Sequence, residues 1–211
     1  VLTDSRPSTH KAADSTAPTG ATLSAYAATI ALEVLIDKGH HVSLGALGIA
    51  DPQTDTGPPA WVPSSEGSSF ATHATAVCNA AAATDNVDAT RANDSPTDQG
   101  PQASASTARA DGGFDWERLR SLIPTGAQVM LCTPATDDAI VDLVESLRGD
   151  GHKVTILSPQ TTPDTIGGRT IAIQRAVRLD QLRFRGATVV DWDRTEKLPA
   201  ALARVLDTGV Q

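Results

Sequence analysis

The alternation of apolar, strand-like runs with helical segments constrains the fold of this chain more than any other feature. Residues 127–132 (Ala-Gln-Val-Met-Leu-Cys) are apolar at all but one position, which is typical of a strand covered on both faces. The segment that follows has apolar residues at helical spacing, namely Ile140, Val141, Val144 and Leu147. Another strand-like run then begins at residue 152. This pattern predicts a parallel sheet with helices on both of its faces.

Over the whole chain the pattern predicts six strands, at residues 1–3, 41–47, 61–63, 127–132, 152–157 and 187–191. Pro63 cannot donate a hydrogen bond within a sheet, so its strand is predicted to be an antiparallel edge strand. Helices are predicted at 23–35, 69–83 and 114–123, after a capping Thr136, in an arginine-rich segment ending near Gly186, and with Pro199 in the first turn of the last helix. We expect a single three-layer α/β/α domain over residues 1–211, cut from a longer protein.

Residues 84–113 differ from the rest of the chain because they contain no Leu, Ile, Met or aromatic residue. Such a segment cannot bury enough apolar area to offset the entropy lost on ordering. We therefore predict a disordered, polar insertion, and a tolerated surface loop is favoured over a regulatory tether.

The charge composition limits the partners of this protein. The net charge is −8, which argues against nucleic acid and against anionic membranes. The acids are 20 Asp and 5 Glu, and the bases are 13 Arg and 4 Lys. This composition resembles that of proteins from salt-accumulating microbes, while drift in a GC-rich genome is the alternative. Cys78 and Cys132 fit neither a disulfide framework nor a zinc site, which favours a reducing compartment.

Carboxylate and hydroxyl groups follow the predicted strands, in the loops at 4–8, 133–138, 158–160 and 191–193. The carboxyl ends of parallel strands meet at one edge of a sheet, and oxygen ligands of this kind suit Mg²⁺. Helix capping explains Thr136, Asp137 and Asp138 equally well.

Four stretches carry a family resemblance: residues 3–9 (Thr-Asp-Ser-Arg-Pro-Ser-Thr), 39–44, 151–159 and 189–193. In order and spacing they resemble the domain of unknown function 58 family, a von Willebrand factor A-like domain, in its haloarchaeal form. The resemblance covers nearly the whole chain except residues 84–113. It implies a von Willebrand factor A-like (Rossmann-like) fold in a cytoplasmic domain of a membrane-anchored protein, working beside a MoxR-type AAA+ ATPase.

The resemblance also implies a metal-ion-dependent adhesion site, built from an Asp-x-Ser-x-Ser loop, a Thr and a second Asp. Asp4 matches the first Asp and Ser8 matches the second Ser, but Arg6 stands in place of the first Ser. The Thr position falls near Ser68 or Ser69.

The second Asp of this pattern is displaced. Thr133 and Pro134 occupy its place, so that only Asp137 or Asp138 could reach the ion from the next turn. The resemblance therefore implies a degenerate site that either still holds Mg²⁺ or has lost it. In the latter case Arg6 pairs with Asp4 or a neighbouring acid and replaces the ion.

Two classes of function compete. The first is a non-enzymatic protein-interaction module. The second is a Rossmann-like small-molecule or Mg²⁺-dependent enzyme that would use Asp4, Asp137 or Asp138, and Asp191. The sequence contains no Gly-x-Gly-x-x-Gly after the first strand, no phosphate-binding loop and no Gly-x-Ser-x-Gly elbow, so the first class is favoured.

Two further features have structural explanations that are favoured over functional ones. Arginines at positions 169, 175, 178, 183 and 185 make one helix basic, and a solvated face paired with local acids is favoured over a docking surface. Residues 166–169 (Ile-Gly-Gly-Arg) could hold an anion at a helix N-terminus, but a loop that needs glycine is favoured.

Overall fold

The computed structural model describes residues 1–54, 56–65, 68–83, 115–163 and 165–208, and the side chains of 204–208 are not described. Within these ranges the chain forms six strands and six α-helices. The strands are β1 (Leu2–Asp4), β2 (Leu44–Leu47), β3 (Ala60–Val62), β4 (Val129–Cys132), β5 (Val154–Pro159) and β6 (Thr188–Trp192). The helices are α1 (Gly20–Asp37), α2 (Ser68–Ala83), α3 (Trp116–Leu122), α4 (Ala139–Gly149), α5 (Ile166–Phe184) and α6 (Leu198–Thr208). The predicted insertion at 84–113 lies outside the described residues.

The strands form one sheet in the order β3-β2-β1-β4-β5-β6. All neighbouring pairs are parallel except β2 and β3, which are antiparallel. The predicted antiparallel edge strand is thus confirmed, but Pro63 lies just beyond its last residue, Val62. Asp4, Thr133 and Ser158 lie at the same edge of the sheet, at or just beyond the carboxyl ends of three adjacent strands.

Helices cover both faces of the sheet, which confirms the three-layer α/β/α fold. One face packs against α3, α4 and α5 through a core that includes Leu131 and Leu179. The other face packs against α1, α2 and α6, with Met130 and Cys132 beneath α1 and α6. Side chains of successive β4 residues thus pack against opposite helix layers, as the pleat of a strand requires.

Helix α1 is long and apolar enough to cross a membrane by length and composition. Half of it is nevertheless buried inside the protein, where it contacts β1, β4 and β5 as well as α2 and α6. Its N-terminus is capped by Thr19, whose side chain accepts a hydrogen bond from the Thr22 backbone N–H at 3.2 Å.

Two local predictions were wrong. Strand β2 begins at Leu44 and not at residue 41, because Leu44 faces Val62, the last residue of β3. Thr136 does not cap α4, which begins at Ala139. The Thr136 hydroxyl is buried without a hydrogen-bond partner in the described residues, and the two aspartates after it form ion pairs with Arg6 and Arg178.

Candidate functional site

The site begins where β1, a central strand, ends in a buried carboxylate. Asp4 is fully buried between the ends of β2 and β4. The chain then leaves the sheet and turns through a short 3-10 helix at Pro7–Thr9. Thr9 holds this turn, because its backbone N–H and its hydroxyl both donate to the Arg6 carbonyl at 2.8 Å. This turn places the Arg6 side chain beside the carboxylate of Asp4.

Arg6 binds Asp4 through two parallel hydrogen bonds. Its Nε donates to Asp4 Oδ1 at 2.9 Å and its Nη2 donates to Asp4 Oδ2 at 2.8 Å. Paired bonds of this kind are among the strongest that a carboxylate accepts. Thr133, the first residue after β4, adds a hydroxyl that donates to Asp4 Oδ2 at 2.7 Å. Each carboxylate oxygen of Asp4 therefore has a donor within the protein.

The third guanidinium nitrogen reaches a second acid. Arg6 Nη1 donates to Asp137 Oδ1 at 3.0 Å, and the Ser8 hydroxyl donates to Asp137 Oδ2. The Trp116 ring lies 5.9 Å from Arg6 Cζ, within the range of a cation–π contact. We call Asp4, Arg6, Ser8, Thr133 and Asp137 the Arg6 cluster.

The guanidinium in this cluster is held in its charged form. Burial acts to lower the pKa of Arg6, but the hydrogen bonds and negative charges of Asp4 and Asp137 outweigh burial and raise that pKa. One permanent cation thus faces two acidic side chains. Its own side chain is only 7% exposed, whereas that of Asp137 is 32% exposed.

A second buried arginine lies at the same edge of the sheet. Arg175 on α5 donates from Nη2 to the Ser158 hydroxyl and to Asp191 Oδ1, both at 2.8 Å. Its Nε donates to the Pro134 carbonyl at 3.2 Å. We call Ser158, Arg175, Asp191 and the Pro134 carbonyl the Arg175 cluster. Asp191 is 48% exposed while Arg175 is buried beneath it.

The loop between β4 and α4 lies between the two arginine clusters. Asp137 is held by Arg6, whereas Asp138 pairs with Arg178 at 2.7 Å. Ala135, in the same loop, has a φ of 55°, which is unfavourable for a residue with a side chain. Its N–H donates to the Thr133 hydroxyl at 3.1 Å, so the strained residue is fixed by a member of the Arg6 cluster.

Glycine allows the close packing behind this cluster. Gly48 has a φ of +89°, and a Cβ there would lie 2.7 Å from Arg6 Cα. Gly20, at the start of α1, faces Pro134 and the Thr9 carbonyl, each 2.8 Å from where its Cβ would be. Because neither glycine has a side chain, the end of β2 and the start of α1 can pack closely against the turn that carries Arg6.

The structure brings three of the predicted metal ligands together, namely Asp4, Ser8 and Asp137. Asp138 lies beside them but faces Arg178. Thr133, which sequence reasoning did not count as a ligand, supplies the second hydroxyl group. Its position in the sequence could have indicated this role, because Thr133 directly follows β4, the strand that pairs with β1.

Ser68 and Ser69 do not join this group. They are exposed at the start of α2, which follows the end of β3 at the opposite edge of the sheet. The other end of α2 is the one near the cluster, since the Ser5 hydroxyl donates to the Ala81 carbonyl at 2.6 Å. Thirteen helical residues separate Ser68 from Ala81, a rise of about 20 Å. The antiparallel direction of β3 causes this placement.

The arginines of α5 pair largely with local acids, as the favoured interpretation expected. Besides Arg175 and Arg178, Arg183 pairs with Asp180 and Arg185 pairs with Glu145. Arg175 is buried, however, and not part of a solvated face. The predicted loop at residues 166–169 was wrong, because these residues form the first turn of α5. Gly168 nevertheless has to be glycine, because a Cβ there would lie 1.9 Å from the Pro163 carbonyl oxygen.

Comparisons of the chain with models of protein families and with curated proteins find no match. In the part of the chain that the structure describes, no group of three or more His, Cys, Asp or Glu side chains is arranged to hold a metal ion. The chemistry that the site offers is that of the Arg6 and Arg175 clusters.

Proposed function

We propose that this protein is a non-enzymatic interaction module with a von Willebrand factor A-like site in which the Arg6 guanidinium replaces the metal ion. The observation that carries the proposal is the position of Arg6 between Asp4 and Asp137, with Ser8 and Thr133 completing the set of oxygen atoms. These are the oxygen ligands that a hard cation would otherwise take. Asp4 and Ser8 match the adhesion-site pattern, and Asp137 acts as its second acid.

The residues present do not fit a divalent cation beside Arg6. Both Asp4 oxygens accept hydrogen bonds from the guanidinium, and both Asp137 oxygens accept hydrogen bonds from Arg6 or Ser8. An entering ion would have to displace these bonds and stand next to a permanent positive charge. The guanidinium supplies the charge and the donors that keep the loops in place, so the surface above it needs no metal to be ordered.

The surface above the clusters presents acids to solvent, with their arginines beneath. Side-chain exposure is 81% for Asp138, 48% for Asp191 and 32% for Asp137, against 8% or less for Arg6 and Arg175. We call these three aspartates the acidic lip. Charge complementarity favours a partner with a basic surface, and the family resemblance makes a MoxR-type AAA+ ATPase the candidate to test.

The competing enzyme hypothesis needs carboxylates that are free to move protons or bind Mg²⁺. Asp4, Asp137, Asp138 and Asp191 each pair with an arginine. A guanidinium partner occupies the carboxylate oxygens with hydrogen bonds and fixes the position of the carboxylate, which suits recognition better than general acid–base chemistry. This pairing is why the interaction module is preferred.

The experiment measures binding of the purified protein to a MoxR-type AAA+ ATPase from the same organism, at high salt, by biolayer interferometry. We expect Asp138→Lys to weaken binding by about tenfold or more, because it reverses the most exposed charge of the acidic lip. Ser69→Lys is the matched control, since Ser69 is exposed at the opposite edge of the sheet. Binding that is lost in Ser69→Lys and retained in Asp138→Lys would contradict the proposal.

A further inference from the structure

The outward face of α5 exposes an unusual amount of apolar surface. Of the seven large apolar side chains that are exposed in the described part of the chain, five lie on this helix. Ile166 is 88% exposed and Phe184 is 93% exposed, at the two ends of α5, and Ile173 and Val177 are 66% and 52% exposed between them. Isolated exposed apolar residues need no explanation, but a continuous patch usually marks an interaction surface.

These four residues fall on one line along the helix. At about 100° per residue, Ile166, Ile173, Val177 and Phe184 lie within about 40° of each other around the axis. The line is opposite to the side of α5 that packs on the sheet. Thr170 and Asp180 fill the gaps, so that the spacing becomes 4-3-4-3-4, the spacing of a coiled-coil seam. We call these six positions the α5 seam.

The order of apolar and polar residues along the α5 seam is the same from either end of the helix: apolar, polar, apolar, apolar, polar, apolar. In an antiparallel pair of α5 helices centred on residue 175, Ile166 faces Phe184 of the second copy, and Ile173 faces its Val177. Thr170 then faces Asp180, which joins the two polar positions and allows a hydrogen bond between them. We propose that α5 is the interface of a twofold-symmetric dimer, with a second copy of this chain packed antiparallel on the α5 seam.

Charge supports the antiparallel arrangement. Arg169 lies beside the seam and forms no ion pair with a residue that the structure describes. Antiparallel packing brings it near Asp180 of the second copy, one helical position from direct alignment. A parallel pair would instead set Asp180 against Asp180 and Arg169 against Arg169, which like-charge repulsion disfavours.

The length of the α5 seam limits the expected affinity of the dimer. Nineteen residues of α5 extend over about 28 Å, and a single helix pair lies near the lower limit of about 1,000 Å² for a specific interface. We therefore expect a reversible dimer whose population rises with concentration, and which high salt strengthens through its apolar contacts.

The first test is sedimentation equilibrium of the full chain over a range of concentrations at high salt. We expect a monomer–dimer equilibrium for the wild type, and a dissociation constant raised by about tenfold or more in Ile173→Asp. Ile171→Asp is the matched control, because Ile171 is 50% exposed on the same helix but lies off the seam. Thermal unfolding of both variants shows whether each remains folded.

The second test fixes the register by disulfide formation. Cys78 and Cys132 are buried, so a new cysteine on α5 is the accessible thiol. When Ile173→Cys and Val177→Cys proteins are mixed and oxidised, we expect the disulfide between the two variants to exceed either disulfide within one variant. Preferential cross-linking of Ile173→Cys to itself would overturn the antiparallel register.

Three results would overturn the dimer. One is a wild-type protein that stays monomeric at every concentration, and another is a dimer that Ile173→Asp leaves unchanged. The third is a monomer that sediments with phosphatidylglycerol vesicles and loses this binding in Ile173→Asp, because the seam would then be a lipid-binding face.

Discussion

At the residue scale, Arg6 determines the character of the site. A guanidinium is planar, permanently charged and carries five donors, and here three of its nitrogens contact two carboxylates. A metal ion would hold the same loops by coordination. The arginine holds them by hydrogen bonds that belong to the folded chain, so under our proposal the order of the loops does not depend on the concentration of free cation.

Removing the hydroxyl of Thr133 tests this network. We expect Thr133→Val to lower the free energy of unfolding by about 1–3 kcal/mol, because it removes one of the two donors to the buried Asp4 Oδ2 and takes the hydroxyl acceptor away from the Ala135 N–H. Urea denaturation measures the change. Thr3→Val is the control, since the Thr3 hydroxyl is also buried but has no hydrogen-bond partner in the described residues. Equal losses in both variants would contradict a specific role for Thr133.

At the element scale, the loop between β4 and α4 shows where sequence reasoning stops. The order of strands and helices could be predicted because apolar periodicity is local to each element. The start of α4 could not, because it depends on Arg6 and Arg178, which lie far away in the chain. Ser68 and Ser69 were misplaced for a related reason. The direction of β3 determines which end of α2 lies near the site, and the direction of β3 cannot be deduced from the adhesion-site motif alone.

Gly168 provides a test of element packing. A side chain at Gly168 would meet the Pro163 carbonyl oxygen, whereas nothing lies within 4 Å of the corresponding position at Gly167. We expect Gly168→Ala to destabilise the protein by roughly 1–3 kcal/mol. Gly167→Ala should instead be neutral or stabilising by up to about 1 kcal/mol, because alanine favours the helix. Thermal unfolding compares the two variants, and equal melting temperatures would contradict the close packing at Gly168.

At the scale of the whole molecule, both proposed interaction surfaces lie on the three-layer α/β/α fold. The carboxyl edge of the sheet carries the acidic lip over two buried arginines, and the outward face of α5 carries the α5 seam. Arg175 connects these regions, since it extends from α5 to Ser158 and Asp191 at the sheet edge. A dimer through α5 would therefore present two acidic lips to a partner, which favours binding to an assembly with repeated sites.

The fold was predicted correctly, and three of the residues predicted as ligands lie together, because both follow from strand ends that meet at one edge of a parallel sheet. The sequence left open whether Arg6 replaces the ion or points away from it. That choice depends on the turn at Pro7–Thr9 and on the reach of Asp137, neither of which has a signature in the local pattern.

The central claim is that the Arg6 guanidinium stands in place of a metal ion, and calorimetric titration with Mn²⁺ at high salt tests it most directly. The compared proteins are the wild type, Arg6→Ser, and Arg178→Ser as a control that removes an arginine outside the Arg6 cluster. Arg6→Ser frees the oxygens of Asp4 and Asp137 and adds a hydroxyl. The account predicts saturable binding by Arg6→Ser, its loss when Asp137→Asn is added, and no binding by the wild type or Arg178→Ser. Micromolar binding of Mn²⁺ by the wild type would contradict it.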